Sequence, residues 1–451
     1  MATSTATNCL RGSPHMLTRT WILTPSYLHH RAGKCVRHMK PLAYRIFTEF
    51  PKQSIKHPLQ PYTVGYSRNR MSTPIKRSFH TSKRFAATTQ SAIPHISLHI
   101  AAASSGKGRK YEPEKSTLDY VPGPDSTLGV QSQGNVYQRR RSRPDSGEDA
   151  YFVSSVGGDS NIVALGVCDG VGGWQEQGIN PADFSHGMCS HMAHTAQTWR
   201  RTSSQPDNLH PKRLLNTAYD ATLQDVQIRA GGATACVAVT DGTGRMRTAN
   251  LGDSGFIHLR LGTVHQHSTP QTHAFNTPYQ LSKIPAEIMT QAAIFGGLPL
   301  HDSPDRADIA DNQLQHGDVV VFATDGVWDN LSSQDILNIV SRLMRERGAW
   351  ERTEDRGFVV SDKIASLISS TMSEQDRKAS LASVVASHIV GEAKIASTDR
   401  HRDGPFAKAV QREYPMDRWH GGKIDDITVL VMIAVENAKL GPEEETLKAK
   451  L

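Results

Sequence analysis

The stretch "VFATDGVWDN", Val321 to Asn330, decides the fold. With "GDVV" before it, it opens as an apolar, β-branched run of strand type, then stops at Asp325-Gly326. Asp329 follows one turn later. The same device appears in "VALGVCDGVGGW" (Val163–Trp174), where a β-rich run ends on Asp169-Gly170. A strand that delivers a carboxylate to the edge of an apolar core needs a partner for that charge.

Three further pieces place acids at strand ends or tight turns: "GEDAYF" with Glu148 and Asp149, "LGDSG" with Asp253, and "KIDDITV" with Asp425 and Asp426. Alone, an Asp followed by Gly is ordinary turn chemistry. Together these pieces offer a set of carboxylates from distant parts of one chain. No Lys or Arg lies beside the inner ones to neutralise them. If they converge, they cannot all stay ionised without cations. Hard oxygen donors select Mg²⁺ or Mn²⁺ over zinc.

Around these pieces the chain alternates strand clusters with pairs of helices. "NIVALGVCD" and "GDVVVFATD" read as buried strands, and "DDITVLVMIAV" as the last strand. Asp241-Gly242, between two β-rich runs, signals a hairpin. "PADFSHGMCSHMAHTAQTWRR" begins with Pro181 where a helix accepts it. "PKRLLNTAYDATLQDVQIRA" spaces Leu214, Leu215, Ala218, Leu223 and Val226 as a helix does. Helical stretches also occur in "SQDILNIVSRLMRER" and "SDKIASLISSTM". Residues 268–316 lack a clear period and read as a long surface excursion. This order suggests sheets packed on each other with helices outside, not a doubly wound parallel sheet.

The chain has 451 residues and a net charge of +7, but the charge is uneven. Residues 1–111 hold 18 Lys and Arg and a single acid, Glu49, whereas the remainder holds 33 basic and 43 acidic residues. The basic balance therefore belongs to the leader, and a nucleic-acid partner loses its support. A leader rich in Arg, Ser, Thr and His and nearly free of acid has the character of a mitochondrial presequence. "RSFHTSKRFAATT" suits processing after Phe79, with Arg77 just upstream, or near Arg84-Phe85-Ala86. The expected layout is a presequence over 1–85, a flexible linker over 86–130, a folded domain over 131–437 and a tail over 438–451. No apolar run approaches the ~20 residues of a spanning helix. Cys168, Cys189 and Cys236 remain beyond the leader, widely spaced and without CxxC, as in a compartment of reduced thiols.

The six acidic and strand pieces, in this order, resemble the metal-dependent type 2C family of Ser/Thr protein phosphatases. "GEDAYF" is similar to its Glu-Asp-Ala element, "CDGVGG" to its Asp-Gly-x-x-Gly turn, and "GGATACVAV" to its Gly-Ser-Thr-Ala strand. "ANLGDSG", "TDGVWDN" and "DDITVLVM" match its remaining motifs. "DGVGGW", "RTANLGDSGF", "FNTPYQLS", "DSPDRAD" and "GGKIDDITVL" resemble the mitochondrial branch, whose members act on matrix proteins and are linked to coenzyme Q biosynthesis.

The resemblance implies an α+β fold: a four-layer αββα sandwich, two antiparallel sheets flanked by helices, with a binuclear metal centre at one rim. It implies that Asp169 bridges two Mg²⁺ or Mn²⁺ ions and that the Gly170 carbonyl binds one. Asp325 and Asp425 hold the first ion; Glu148 and Asp149 serve the second. Asp253 and Asp329, with Asp325, match a third, weaker site. Asp425 is the better positional match than Asp426. The implied reaction is attack of a metal-activated water on phosphoserine or phosphothreonine of mitochondrial proteins, with Asp169 and Asp325 central to catalysis.

Two departures stand out. The basic His that often follows the Asp-Gly is Val171 here. The phosphate-binding Arg four residues before the Glu is Pro144, which leaves Arg143 as the nearest substitute, with Arg139, Arg140 and Arg141 close by. Ala233 replaces the usual Ser. Two rival readings remain open: a catalytically silent member that binds metal or partner proteins, and a hydrolase of small phosphoesters. "GDSGF" resembles a protease nucleophile loop but lacks its companions. Cys168 lacks the Arg that a Cys-phosphatase needs, since Trp174 stands there. His186, Cys189, His191 and His194 share one helix but not one face. There is no GxxxxGK[ST] for a P-loop.

Overall fold

Every residue of Val319–Ala323 is buried, and so is nearly all of Ile427–Glu436. These runs sit side by side in one antiparallel sheet. The computed structural model describes residues 95–130, 135–200, 209–295, 297, 300–355, 357–368 and 380–437. The presequence (1–85) and tail (438–451) readings lie outside them.

The first sheet has six strands in the order Thr263–His267, Gly255–Arg260, Val319–Ala323, Ile427–Glu436, Ile96–Ser105, Thr117–Asp119. Val321 stands opposite Val431 on one side and Ile257 on the other. The second also has six: Asp308–Gln313, Arg245–Leu251, Ala235–Thr240, Asp159–Cys168, Ala150–Val156, Thr127–Leu128. All neighbours in both sheets are antiparallel.

Alternation along each strand assigns its side chains to different cores. Val320, Phe322, Leu430 and Met432 pack with Tyr151, Val153, Leu165 and Val167 of the other sheet. Val319, Val321, Val429 and Val431 turn the opposite way, onto Ile336, Val340, Val385 and Ile389 of helices Ser333–Glu346 and Leu381–Thr398. Phe152, Ala164 and Val237 meet Phe184, Met188, Leu214 and Leu215 of helices Pro181–Thr198 and Pro211–Gln224. Each buried Val, Leu or Phe contributes about 1.5–3 kcal/mol, so strands lined on both faces read as continuous apolar runs.

The helix starts are built locally. Asn180 accepts a bond from the Ala182 N–H ahead of Pro181. Ser332 and Asp335 form a reciprocal capping box before Ser333–Glu346. The expected hairpin is present: Ala235–Thr240 and Arg245–Leu251 pair across the Asp241-Gly242 turn.

Two expectations need correction. The 86–130 linker contains Ile96–Ser105, whose ten residues all pair with Ile427–Glu436. Its "AAASS" ending has no period and poor β propensity, which hides a strand whose small side chains let a helix pack closely. Ala101 and Ala103 share a cluster with Val385 and Ile389. The 268–316 excursion contains helix Ala286–Phe295, strand Leu281–Lys283 paired with Gly231–Ala233, and the sheet-edge strand Asp308–Gln313. That edge strand, "DIADNQ", is largely exposed and polar, so it carries no apolar signal. Among the described residues, no helix is long and apolar enough to cross a membrane.

Candidate active site

Two strands from different sheets end at a common rim. Asp325 opens the short helix Asp325–Trp328 directly after Val319–Ala323. Asp169 follows Asp159–Cys168 and is locked to the "GGATA" strand: Thr234 N donates to its carbonyl at 3.0 Å, and Asp169 N donates to Thr234 Oγ1 at 3.2 Å. Gly170 bridges Ala233. Thr234 Oγ1 and Ser254 Oγ lie 2.7 Å apart, which ties the Asp253 turn to the same strand. Ser254 is buried in this bond and is no exposed nucleophile.

The expected acids come together. Burial, then repulsion from Asp325, Asp149, Asp425 and Asp253, pushes Asp169 well above the usual carboxylate range. Burial and the Asp426 charge do the same to Asp149. Its Oδ2 accepts from Thr324 Oγ1 at 2.7 Å, while its Oδ1 is buried with no partner. Asp253 is pushed up to about 7 by burial and by Asp325, and its Oδ1 is likewise buried and unpartnered. Burial and Asp325 also raise Asp329. Glu148 is raised by burial, against a hydrogen bond from Gln175 Nε2.

One charge in the cluster corrects the sequence reading. Lys423 sends its ammonium among the acids: Nζ lies 2.7 Å from Asp325 Oδ2, 2.6 Å from Asp329 Oδ2 and 3.2 Å from Asp425 Oδ2. Burial alone would raise Asp325, but this ammonium outweighs it and holds the carboxyl below its usual range. Lys423 precedes Asp425 by two residues, and only its long stem, folded back, brings it to Asp325. Among the described residues no three ligand side chains already close on one point as an ion would gather them; three of the acids close on Lys423 instead.

Asp425 and Asp426 divide their work. Asp425 faces Lys423 and, at 3.3 Å, Lys107 Nζ. Asp426 accepts the backbone N–H of Lys107 and, at 2.8 Å, that of Glu148. Sequence reasoning missed this bracing role. The signal was Gly147: at φ +71°, a Cβ there would stand 1.9 Å from Asp426 Oδ1.

Arg143 is a second correction. Its Nη2 donates to Asp183 Oδ1 at 2.7 Å, and it lines a small cavity with His186 and Ser190. Its ion-pair partner is on helix Pro181–Thr198, not among the clustered acids. Arg140 joins the same Asp183, and Arg139 pairs with Asp225 at 3.2 Å. The arginine-rich turn is anchored to neighbouring elements. Lys107, which the sequence reading left in the linker, is the basic side chain that reaches the rim beside Lys423.

The remaining chemical groups are structural. Cys168, Cys189 and Cys236 are buried free thiols. His186 and Cys189 are buried, and burial pulls His186 down to about 3. His191 Nε2 is 3.2 Å from Asp225 Oδ2.

The donor set fits divalent ions: hard carboxylate oxygens, two of them buried and unpartnered, and a basic side chain standing in as cation. Residues 138–368 match the protein phosphatase 2C family. The chain is 31% identical over 341 residues to the protein phosphatase PTC7 homolog of Danio rerio, covering 75% of this chain and 94% of that one. It is 30% identical to "Protein phosphatase 2C homolog 7, mitochondrial" of Saccharomyces cerevisiae, over 82% and 97% of the two chains. It is 33% identical to the Homo sapiens PTC7 homolog, over 70% and 85%. On these likenesses the chain belongs to the protein phosphatase 2C family of protein-serine/threonine phosphatases.

Proposed function

We propose that the chain hydrolyses phosphoserine and phosphothreonine on mitochondrial proteins, using two Mg²⁺ or Mn²⁺ ions, with room for a third, held by the acidic rim. The observation that carries this reading is the gathering of mutually repelling, partly orphaned carboxylates around the Lys423 ammonium. On this reading Asp169 would serve both ions and the Gly170 carbonyl one of them. Asp325 and Asp425 hold one, Glu148 and Asp149 serve the other, and Asp253 and Asp329 with Asp325 offer the third position. The three apolar clusters are then the seams of a four-layer αββα sandwich.

Bound there, the ions supply positive charge for the phosphoryl oxygens and an activated water. The chain's residues do the positioning. Thr324 fixes Asp149, Thr234 fixes the Asp169 turn, and Asp426 aims Glu148. Lys107, exposed at the rim, takes the phosphate-holding part in place of Arg143, which is paired with Asp183.

Assay of a phosphothreonine peptide with Mn²⁺ or with chelator, beside Asp169→Asn, tests this reading. Turnover that requires metal and is abolished in Asp169→Asn is expected; a folded chain without metal-dependent turnover overturns it. The yeast relative's printed name supports a mitochondrial address, and we place the chain in the matrix. Residues 1–85 fused to a reporter should be imported and shortened by isolated mitochondria; a reporter left outside sinks that address. The resemblance of the motifs to the family's mitochondrial branch adds to this reading a supporting role in coenzyme Q biosynthesis. Unchanged coenzyme Q content in cells lacking the chain would remove that role.

A further inference from the structure

Lys423 bonds the very carboxylates that the reading above assigns to ions, and the inference rests on that reading. Its ammonium is hydrogen-bonded to Asp325 and Asp329 and paired with Asp425. An ammonium and a divalent ion repel strongly at contact distance, so the two cannot share this nest.

The backbone of Lys423 is held by hydrogen bonds of its own, whereas its side chain is held through its ammonium. Lys423 N donates to Asn330 Oδ1 at 3.0 Å, and Asn330 Nδ2 donates back to Lys423 O at 2.9 Å and to Gly326 O at 2.9 Å. Buried Asn330 thus fastens Lys423 to the Asp325 turn at a fixed point. From there a four-carbon stem with free torsions can swing. Its outward side is already furnished. Nζ lies 3.3 Å from exposed Asn276 Oδ1 and 5.1 Å from the centre of the Phe406 ring. An amide oxygen and an aromatic face both accept an ammonium.

We propose that Lys423 is a displaceable internal cation: its ammonium closes the acidic nest in the metal-free chain, and ion binding expels it toward Asn276 and Phe406. The lysine then does two things. It stabilises the acids before metal arrives, and it sets a threshold that the metal must exceed.

The test uses the full chain, stripped by chelator. In the wild-type protein, acylation by an amine-reactive ester is read by mass spectrometry with chelator and with saturating Mn²⁺. Exposed Lys115 serves as internal reference. Labelling of Lys423 should rise at least tenfold with Mn²⁺. In Lys423→Met, calorimetry should give a Mn²⁺ dissociation constant at least tenfold lower than wild type, while the metal-free protein melts at a lower temperature. Mn²⁺ binding that leaves Lys423 protected, or a folded Lys423→Met that binds Mn²⁺ no more tightly, overturns this proposal alone. No Mn²⁺ binding by either chain overturns the metal-centre reading and this proposal with it.

Discussion

Gly147 occupies a left-handed conformation against the Asp426 carboxylate, and a single methyl there has nowhere to go. Gly147→Ala should cost about 1–3 kcal/mol in urea unfolding and lower activity, because Asp426 must leave the Glu148 N–H. Unchanged stability and activity would remove the bracing role. The adjacent acids should separate cleanly. Asp425→Asn should weaken Mn²⁺ binding with little loss of stability. Asp426→Asn should mainly destabilise, since the Lys107 and Glu148 N–H groups meet different Asp426 oxygens and an amide would turn its NH2 donor toward one of them. Asp169, Asp253 and Asp325 were legible in the sequence because a strand followed by Asp and a turn is a local pattern. Lys423 and Asp426 were not. Which of two neighbouring acids turns inward, and where a long lysine folds back, depend on groups 94 to 319 residues distant along the chain. Arg143 was misread for the same reason: proximity to Glu148 in sequence says nothing of Asp183.

The strand Ile96–Ser105 sits between Ile427–Glu436 and Thr117–Asp119. A chain starting at residue 120 should fail to show a cooperative melt, because the last strand then exposes its apolar edge and Lys107 is lost. A sharp melt would return this segment to linker status. His99 lies in the same strand, and burial pulls it down to about 4. Its folded-state value is below that of the unfolded chain, about 6.5. The unfolded chain therefore binds the proton first. The neutral ring supports the fold fully above pH 6.5, and that support is lost as pH falls toward 4. Urea unfolding should show a loss of about 1–3 kcal/mol across this window, and His99→Gln should flatten it. An equal slope in both proteins would assign the loss elsewhere. The helices with capping residues and the Asp241-Gly242 hairpin were readable because their signals are local. The alanine strand and the polar edge strand Asp308–Gln313 were not, because their neighbours alone make them strands.

On the scale of the whole molecule, the acids of the rim come from five separate segments, between Glu148 and Asp426. An ion bound by them belongs to the folded state only, so it should stabilise by mass action: about 2.7 kcal/mol at a hundred times its dissociation constant. The melting temperature should climb with Mn²⁺ concentration and fall back with chelator; a flat response would count against a metal centre at this rim. The pairing of Ile96–Ser105 with Ile427–Glu436 adds a matter of timing. Closing a loop of more than three hundred residues is slow, and Asp425 lies two residues before the strand that closes it. A chain still being extended or threaded has its acids but no nest. The acidic nest, and the phosphatase activity proposed for it, therefore waits on this closure.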